Sequence, residues 1–320
     1  MANISGRITL WNVEVFVVTA EEASISAAAK RLETSPATVS QQITALEGAI
    51  GTALLNRSAR PVTLTPAGEI FLRRANTILN EAEQARAELA MADLSRLTRL
   101  RLGMIEDFDA DVTPRLLADM SEDLTACQFL LETGASHRLL DLLENRSLDM
   151  IVASDMGAPA NWMEVHQLMT EPFVVALPKG AFDRGDLLEQ LRRMPLVQYT
   201  TRHHMGRMIA AHLAQQNVAL THRFELDSYH AIMAMVASGA GWTILTPLGW
   251  LRAARFRDRI DLVPLPFAPL SRTISLTARR GVLGDMPRDM AAKLRPLLRE
   301  MIVAPALRQC PWLEDDLRVL

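Results

Sequence analysis

The residues best suited to recognition chemistry lie between Ala23 and Leu46, in the stretch ASISAAAKRLETSPATVSQQITAL. Ser35, Thr38, Ser40, Gln41 and Gln42 form a polar outer side of hydroxyls and amides, which can hydrogen-bond to base edges or phosphates. Lys30 and Arg31 precede them, and Arg57 and Arg60 follow in a short basic turn placed to meet phosphate. Reactive chemistry is sparse elsewhere. Of 7 histidines only His203 and His204 are adjacent, and no third ligand stands at a diagnostic spacing, so no metal site is expected. Neither a phosphate loop nor a Gly-x-Ser-x-Gly elbow is present. Scattered Ser, His and Asp residues give no reason to choose a triad. The sequence therefore predicts no enzyme and no cofactor. The 16 methionines read mostly as core filling, with Met205, Met208, Met233 and Met235 able to line an adaptable cleft.

Three helices must position the polar group. Leu10, Val13, Phe16, Val17 and Ala20 make one amphipathic helix, and Ala27, Ala28 and Leu32 give a second its apolar side. A break at Glu33-Thr34-Ser35 is followed by Pro36, which fits the first turn of a helix because its missing N–H is not needed there. Val39, Ile43 and Leu46, at i, i+4 and i+7, turn one stripe of the third helix inward. Such a pair of helices with a polar outer face has helix-turn-helix logic, although small polar helices also occur on ordinary surfaces. Residues 54–65 read as a basic hairpin, or wing.

Thr65-Pro66 then starts a long helix to about Ala92. Phe71, Ala75, Ile78, Ala82, Ala85 and Leu89 alternate spacings of four and three, a heptad seam able to take a partner helix. The alternative is one helix lying on its own domain. Beyond Asp93 strands and helices alternate: Leu97–Met104, Val112–Leu124, Phe129–Glu132, a helix from Ser136 and the apolar run Asp149–Ala153. This is an α/β pattern. Val165–Thr170 and Pro172–Leu177 lead into a second lobe, Ser271–Thr277 returns to the first, and Met286–Met301 closes it.

The chain has 320 residues, 49% of them hydrophobic, enough for a small domain and one or two larger ones. Its formal net charge of -3 excludes a globally basic nucleic-acid coat. Residues 1–65 balance Arg7, Lys30, Arg31, Arg57 and Arg60 against Glu14, Glu21, Glu22, Glu33 and Glu47, so binding to DNA would lean on placement and multivalency. Cys127 and Cys310 make no disulfide framework, and neither a secretory leader nor a membrane-length apolar run is seen. A cytoplasmic protein is expected.

Residues 7–67 resemble the winged helix-turn-helix of LysR-type transcriptional regulators. The resemblance rests on Phe16, Ser26-Ala27-Ala28-Ala29, Leu32, Ser35-Pro36-Ala37-Thr38-Val39-Ser40, Ile43, Leu46-Glu47, Gly51, Leu54, Arg57 and Leu64-Thr65-Pro66-Ala67-Gly68. Ser35 stands where the family usually has glutamine, and Leu55 where it usually has phenylalanine. The resemblance implies an α/β chain overall: an all-α winged helix-turn-helix domain (1–65), a linker and dimerisation helix (66–92) and a two-lobed effector domain (93–303) resembling periplasmic binding proteins. Lobe I would take 93–168 and 270–303, lobe II 169–269, and 304–320 is left as a tail. It further implies a homodimer assembling to a homotetramer, double-stranded DNA with a pseudo-palindromic site, contact with RNA polymerase, and a small-molecule effector between the lobes. The alternative is an enzyme or a non-regulatory small-molecule binder with an accessory winged domain.

Carried over position by position, the effector cleft would draw on Glu106, Asp107 and Phe108 after the first strand and on Ser136 in Gly134-Ala135-Ser136. From the second lobe come Gln198, Thr200 and Thr201 in Gln198-Tyr199-Thr200-Thr201, then Arg202, His203 and His204, with Asp227 and Trp242 at two further strand ends. Glu106-Asp107 suits an amine, a polyol or a cationic group, or else N-capping by Asp107 or Asp109. Arg202 with the two histidines suits a carboxylate or phosphate, and the two clusters together a zwitterion.

Overall fold

The computed structural model describes residues 7–90, 97–182, 185–218, 220 and 222–320. The chain divides into two compact units, one running through Ala92 and one from Asp93 onward, the turn Asn145–Ser147 aside. The expected junction at 92/93 lies outside the described residues.

In the first unit α1 (Leu10–Glu22), α2 (Ile25–Arg31) and α3 (Pro36–Ile50) enclose Val13, Phe16, Val17, Ala28, Val39, Ile43 and Leu46. Each start is capped from the sequence. Thr9 and Asn12 form a reciprocal capping box on α1. Ser24 accepts from Ala27 N, and Ser35 accepts from Thr38 N directly ahead of Pro36. The wing pairs β1 (Leu55–Asn56) with β2 (Thr63–Leu64). Its entry is fixed by Glu47 on α3, whose Oε1 accepts the N–H groups of Leu54 at 2.8 Å and Leu55 at 3.1 Å. Next comes α4 (Pro66–Ala90), which passes so close to the wing that a Cβ on Gly68 would lie 2.0 Å from the Leu54 carbonyl oxygen.

Lobe I of the second unit is a six-stranded sheet. Its strands are β3 (Arg99–Ile105), β4 (Gln128–Gly134), β5 (Met150–Ser154), β6 (Met163–Pro172), β12 (Ser271–Arg279) and β13 (Arg318–Val319), in the order β13-β6-β12-β5-β3-β4. Pairings among β5, β3 and β4 are parallel, and the rest antiparallel. Around it lie α5 (Val112–Asp123), α6 (Ser136–Glu144), α11 (Met286–Leu298) and α12 (Ala304–Gln309). Lobe II holds β7 (Val174–Pro178) between β10 (Thr243–Leu245) and β11 (Ile260–Val263), and the parallel pair β8 (Leu196–Tyr199) and β9 (His222–Leu226). A bridge from Leu196 to Trp242 joins the two strand groups. Its helices are α7 (Leu187–Arg192), α8 (His204–Gln215), α9 (Tyr229–Ala237) and α10 (Pro247–Arg252).

Three sequence readings change. The first crossing falls at Phe173 rather than at 168/169, because β6 stays paired with β12 as far as Pro172. Phe173 N donates to Leu270 O at 2.7 Å and ties this crossing to the return. Residues 304–320 are no appendage: α12 continues the closing helix, Leu313 and Leu317 are buried, and β13 covers the outer edge of β6. Third, Leu100, Leu102 and Met104 alternate in sequence with Arg99, Arg101 and Gly103, which would turn Arg101 outward, yet Arg101 is buried too. Its guanidinium meets both carboxylate oxygens of Asp149, at 2.6 and 3.1 Å. Removing one member of a buried ion pair strands the other. Asp149→Ala is expected to destabilise the effector unit by about 3–5 kcal/mol in urea unfolding, far more than a surface carboxylate would.

Candidate functional site

The outer face of α3 is open. Pro36, Ala37, Gln41, Thr44, Ala45 and Gly48 are exposed, while Thr38, Ser40 and Gln42 are half-buried. Gln41 extends with no local partner among the described residues, whereas Ser35 is engaged as the cap and its Oγ lies 2.8 Å from Thr38 Oγ1. Thr44 was missed by sequence reasoning; its hydroxyl faces outward, donates to Ser40 O and accepts from Arg57. The cations divide into two sets. Lys30 and Arg60 are exposed. Arg31 is paired with Glu21 at 2.8 Å and Glu22 at 3.0 Å, and these contacts raise its pKa. Arg57 is bound to Glu47, so its first task is to hold the wing against α3.

Along α4 the heptad seam does not stay on one surface. The Phe71 ring packs edge-on against Phe16 at 5.4 Å between centroids, and Ala75 is fully buried against the three-helix core. Those two positions lie on their own domain. Ile78 and Ala85 are exposed and Ala82 half-buried, with Ile70 exposed about two turns before Ile78. The Leu89 side chain lies outside the described residues.

Between the lobes is a solvent-open cleft with an inner cavity of about 50 Å³. Lobe I contributes Ile105, Glu106, Asp107, Gly134, Ala135, Ser136 and Ser154. Tyr199, His203, His204, Met205 and Tyr229 come from lobe II, and Arg272 from the returning crossing. Among the effector residues carried over from the family, Glu106, Asp107, Ser136, His203 and His204 line this cleft. Phe108 and Trp242 are fully buried in the core instead, and the Trp242 indole N–H donates to Leu191 O at 3.0 Å. Thr200 is buried and its hydroxyl donates to Glu225 at 2.6 Å. Gln198 and Thr201 do not line the cleft either. Arg202 and Asp227 sit outside it, exposed and paired at 3.6 Å. Met205 lines the cleft and Met233 is core.

At the base of the cleft is a charged group that local sequence did not reveal. Arg272 on β12 lies between Asp107, 2.8 Å away, and Glu171 on β6, 2.6 Å away, and all three side chains are almost wholly buried. Glu171 Oε2 also accepts the Leu248 N–H of α10 at 3.0 Å. Burial lowers the Arg272 pKa, but Glu171, Tyr229 and Asp107 raise it more, and the guanidinium stays charged. Burial pushes the Glu171 carboxyl up despite Arg272 beside it. Asp107 and Asp109 do not cap a helix; Asp109 pairs with Arg252 at 2.8 Å. Asp107 Oδ1 is buried and has no hydrogen-bond partner among the described residues.

Aromatic rings make the lobe II wall. Tyr229 and Tyr199 lie 5.3 Å apart by centroid, Tyr199 and His203 5.8 Å, and His203 and His137 of α6 5.7 Å. Burial raises the pKa of both phenols, with Asp107 reinforcing it. Burial lowers the His203 and His204 pKa values, helped by His137 and Arg207 respectively. As pH falls below the ordinary histidine value of 6.5, the unfolded chain takes up protons before these two do, so their contribution to stability is present above 6.5 and lost below it. The melting temperature is expected to fall between about pH 7.5 and 5.5, and His203→Gln/His204→Gln to blunt that fall.

Comparison with known proteins agrees with this architecture. The family described as "LysR substrate binding domain" matches residues 95–299, and "Bacterial regulatory helix-turn-helix protein, lysR family" matches residues 10–69. A probable hydrogen peroxide-inducible genes activator of Mycobacterium xenopi is 32% identical over 180 residues, 56% of this chain and 95% of the relative. A probable nitrogen assimilation transcriptional activator of Synechococcus elongatus is 26% identical over 290 residues, 89% of this chain and 92% of the relative. A full-length OxyR variant of Pseudomonas aeruginosa has the same fold, with a TM-score of 0.67 at 24% identity over 90% of this chain and 95% of its own. With both family models matched, one over the N-terminal unit and one over most of the second, the chain belongs to the LysR-type transcriptional regulators, DNA-binding proteins with an effector-binding domain.

Proposed function

We propose that this regulator reads a pseudo-palindromic duplex as a homodimer and that a small molecule in the interlobe cleft changes its hold on DNA or its contact with RNA polymerase. The observation that carries the first part is the exposed Gln41–Thr44 face of α3, polar and free of charge, flanked by Lys30 and Arg60. Gln41 would meet a base edge and Arg60 a phosphate. Ile78, Ala82 and Ala85, extended by Ile70, form the apolar strip of α4 left for a partner helix. Assembly of two such dimers into a tetramer extends the same reading.

Support for the cleft as the effector site comes from its concave shape, its converging polar groups and the unpartnered Asp107 oxygen. The lobes must bind the effector unequally in two arrangements if it is to shift anything. The relatives carry both peroxide and nitrogen-assimilation names and so do not choose the stimulus. A thiol response to peroxide is disfavoured by the cysteines. Neither lines the cleft, and burial pushes both thiols up, away from the reactive thiolate. A zwitterion or carboxylate could still use the N-terminal amides of α6 or α8, but not Arg202.

The first test is capture of genomic DNA by the purified full-length protein, repeated with cell metabolites present; a blank in both would refute sequence-specific regulation. On an enriched site, Gln41→Ala should weaken specific binding by about 1–3 kcal/mol while leaving random duplex nearly unaffected. Arg60→Ala should weaken both alike. Ile78→Glu should shift the protein toward monomer in sedimentation and reduce operator affinity with it.

A further inference from the structure

If the interlobe cleft holds the effector, as proposed above, its walls select the charge of what enters. One guanidinium, Arg272, stands between two buried carboxylates, Asp107 and Glu171, and Glu106 adds a third acid at the rim. Three of the four carboxylate oxygens in the buried pair have donors. Glu171 uses both of its oxygens, on Arg272 and on the Leu248 N–H, and Asp107 Oδ2 receives Arg272. The fourth, Asp107 Oδ1, is left without a partner among the described residues, on a side chain 6% exposed that lines the cleft. A buried acceptor of this kind needs a donor, and a carboxylate oxygen is best served by a charged one.

The surrounding surface points the same way. Arg202, the cation that the family resemblance would place here, is outside the cleft on Asp227. The chain has 2 tyrosines, and both line this cleft, their rings 5.3 Å apart and continued by His203. Aromatic faces carry negative charge density and favour cations, and the effect strengthens where water is removed. An acidic floor with an unused oxygen, walled by phenol rings, is a site for an organic cation. The neighbouring lobe I cavity, behind Ser136 and Ser154, also holds a carboxylate, Asp155, but that side chain is engaged by Ser275 and no aromatic ring lines the space around it.

We propose that the effector carries an ammonium group, donated to Asp107 Oδ1 and packed against Tyr199 and Tyr229. A carboxylate elsewhere on the molecule is compatible with this; a simple anionic effector is not.

The test uses four-carbon probes that differ in charge: n-butylamine, n-butanol, butyrate and 4-aminobutyrate, each titrated to millimolar concentration against the full-length protein. Ligand-detected saturation-transfer NMR reads binding. Butylamine is expected to bind at least tenfold more tightly than butanol or butyrate, and Asp107→Asn to remove that preference. Because Asp107 also supports Arg272, Tyr199→Leu is a second variant and should weaken the amine severalfold without affecting butanol. The comparison of amine with alcohol on the unaltered protein needs no variant at all. Equal binding of amine and alcohol, or amine binding unchanged in a folded Asp107→Asn, overturns the ammonium assignment. Butyrate binding that disappears in His203→Ala overturns it too, while keeping the cleft as the effector site. Silence from all four probes overturns both.

Discussion

The second unit is organised around one buried cation that no single element can satisfy. Arg272 needs Asp107 from the turn after β3, Glu171 from the outgoing crossing, and the start of α10 to complete Glu171. Burying a guanidinium and two carboxyl groups is costly unless each is paired and hydrogen-bonded, so these segments must be in register at once. The hydrogen bond from Phe173 to Leu270 ties the two crossings beside them. The hinge is therefore the most constrained part of the effector unit. A ligand in the proposed site would meet walls already set, with Asp107 Oδ1 and Ser154 Oγ still without partners among the described residues.

The DNA-binding unit repeats this economy with one acid. Glu47 leaves α3, receives two wing N–H groups and holds Arg57, so helix and wing keep a fixed relation without a large core between them. Gly68 allows α4 to close over the same junction. The reading face is presented by packing on its reverse side, where Val39, Ile43 and Leu46 are fully buried.

What was legible in the sequence followed from local physics. The caps, Pro36 and the i, i+4, i+7 stripe act within a few residues, and they placed α3 and its outer face. The alternation of strands and helices pointed to an α/β fold, and the family resemblance to its two lobes. Other features depend on distant partners. Arg272 and Glu171 are 101 residues apart, each within a strand, and nothing near either announces an ion pair. Tyr229 opens a helix and reads as ordinary core. Arg101 looked exposed because alternation cannot see Asp149. Spacing alone also could not tell that Phe71 and Ala75 would be used within their own unit, since an apolar seam looks the same to an inner or an outer neighbour. Family position carried Phe108 and Trp242 into the cleft, but backbone proximity does not fix the direction of a side chain.

The internal pairing of Arg31 and Arg57 has a consequence for salt dependence. Neutralised phosphates release counterions, and the number released sets how steeply affinity falls with salt. With two of its cations committed to its own glutamates, each reading domain has few left to release any. The affinity of this unit for DNA should then fall less steeply with salt than its count of basic residues suggests.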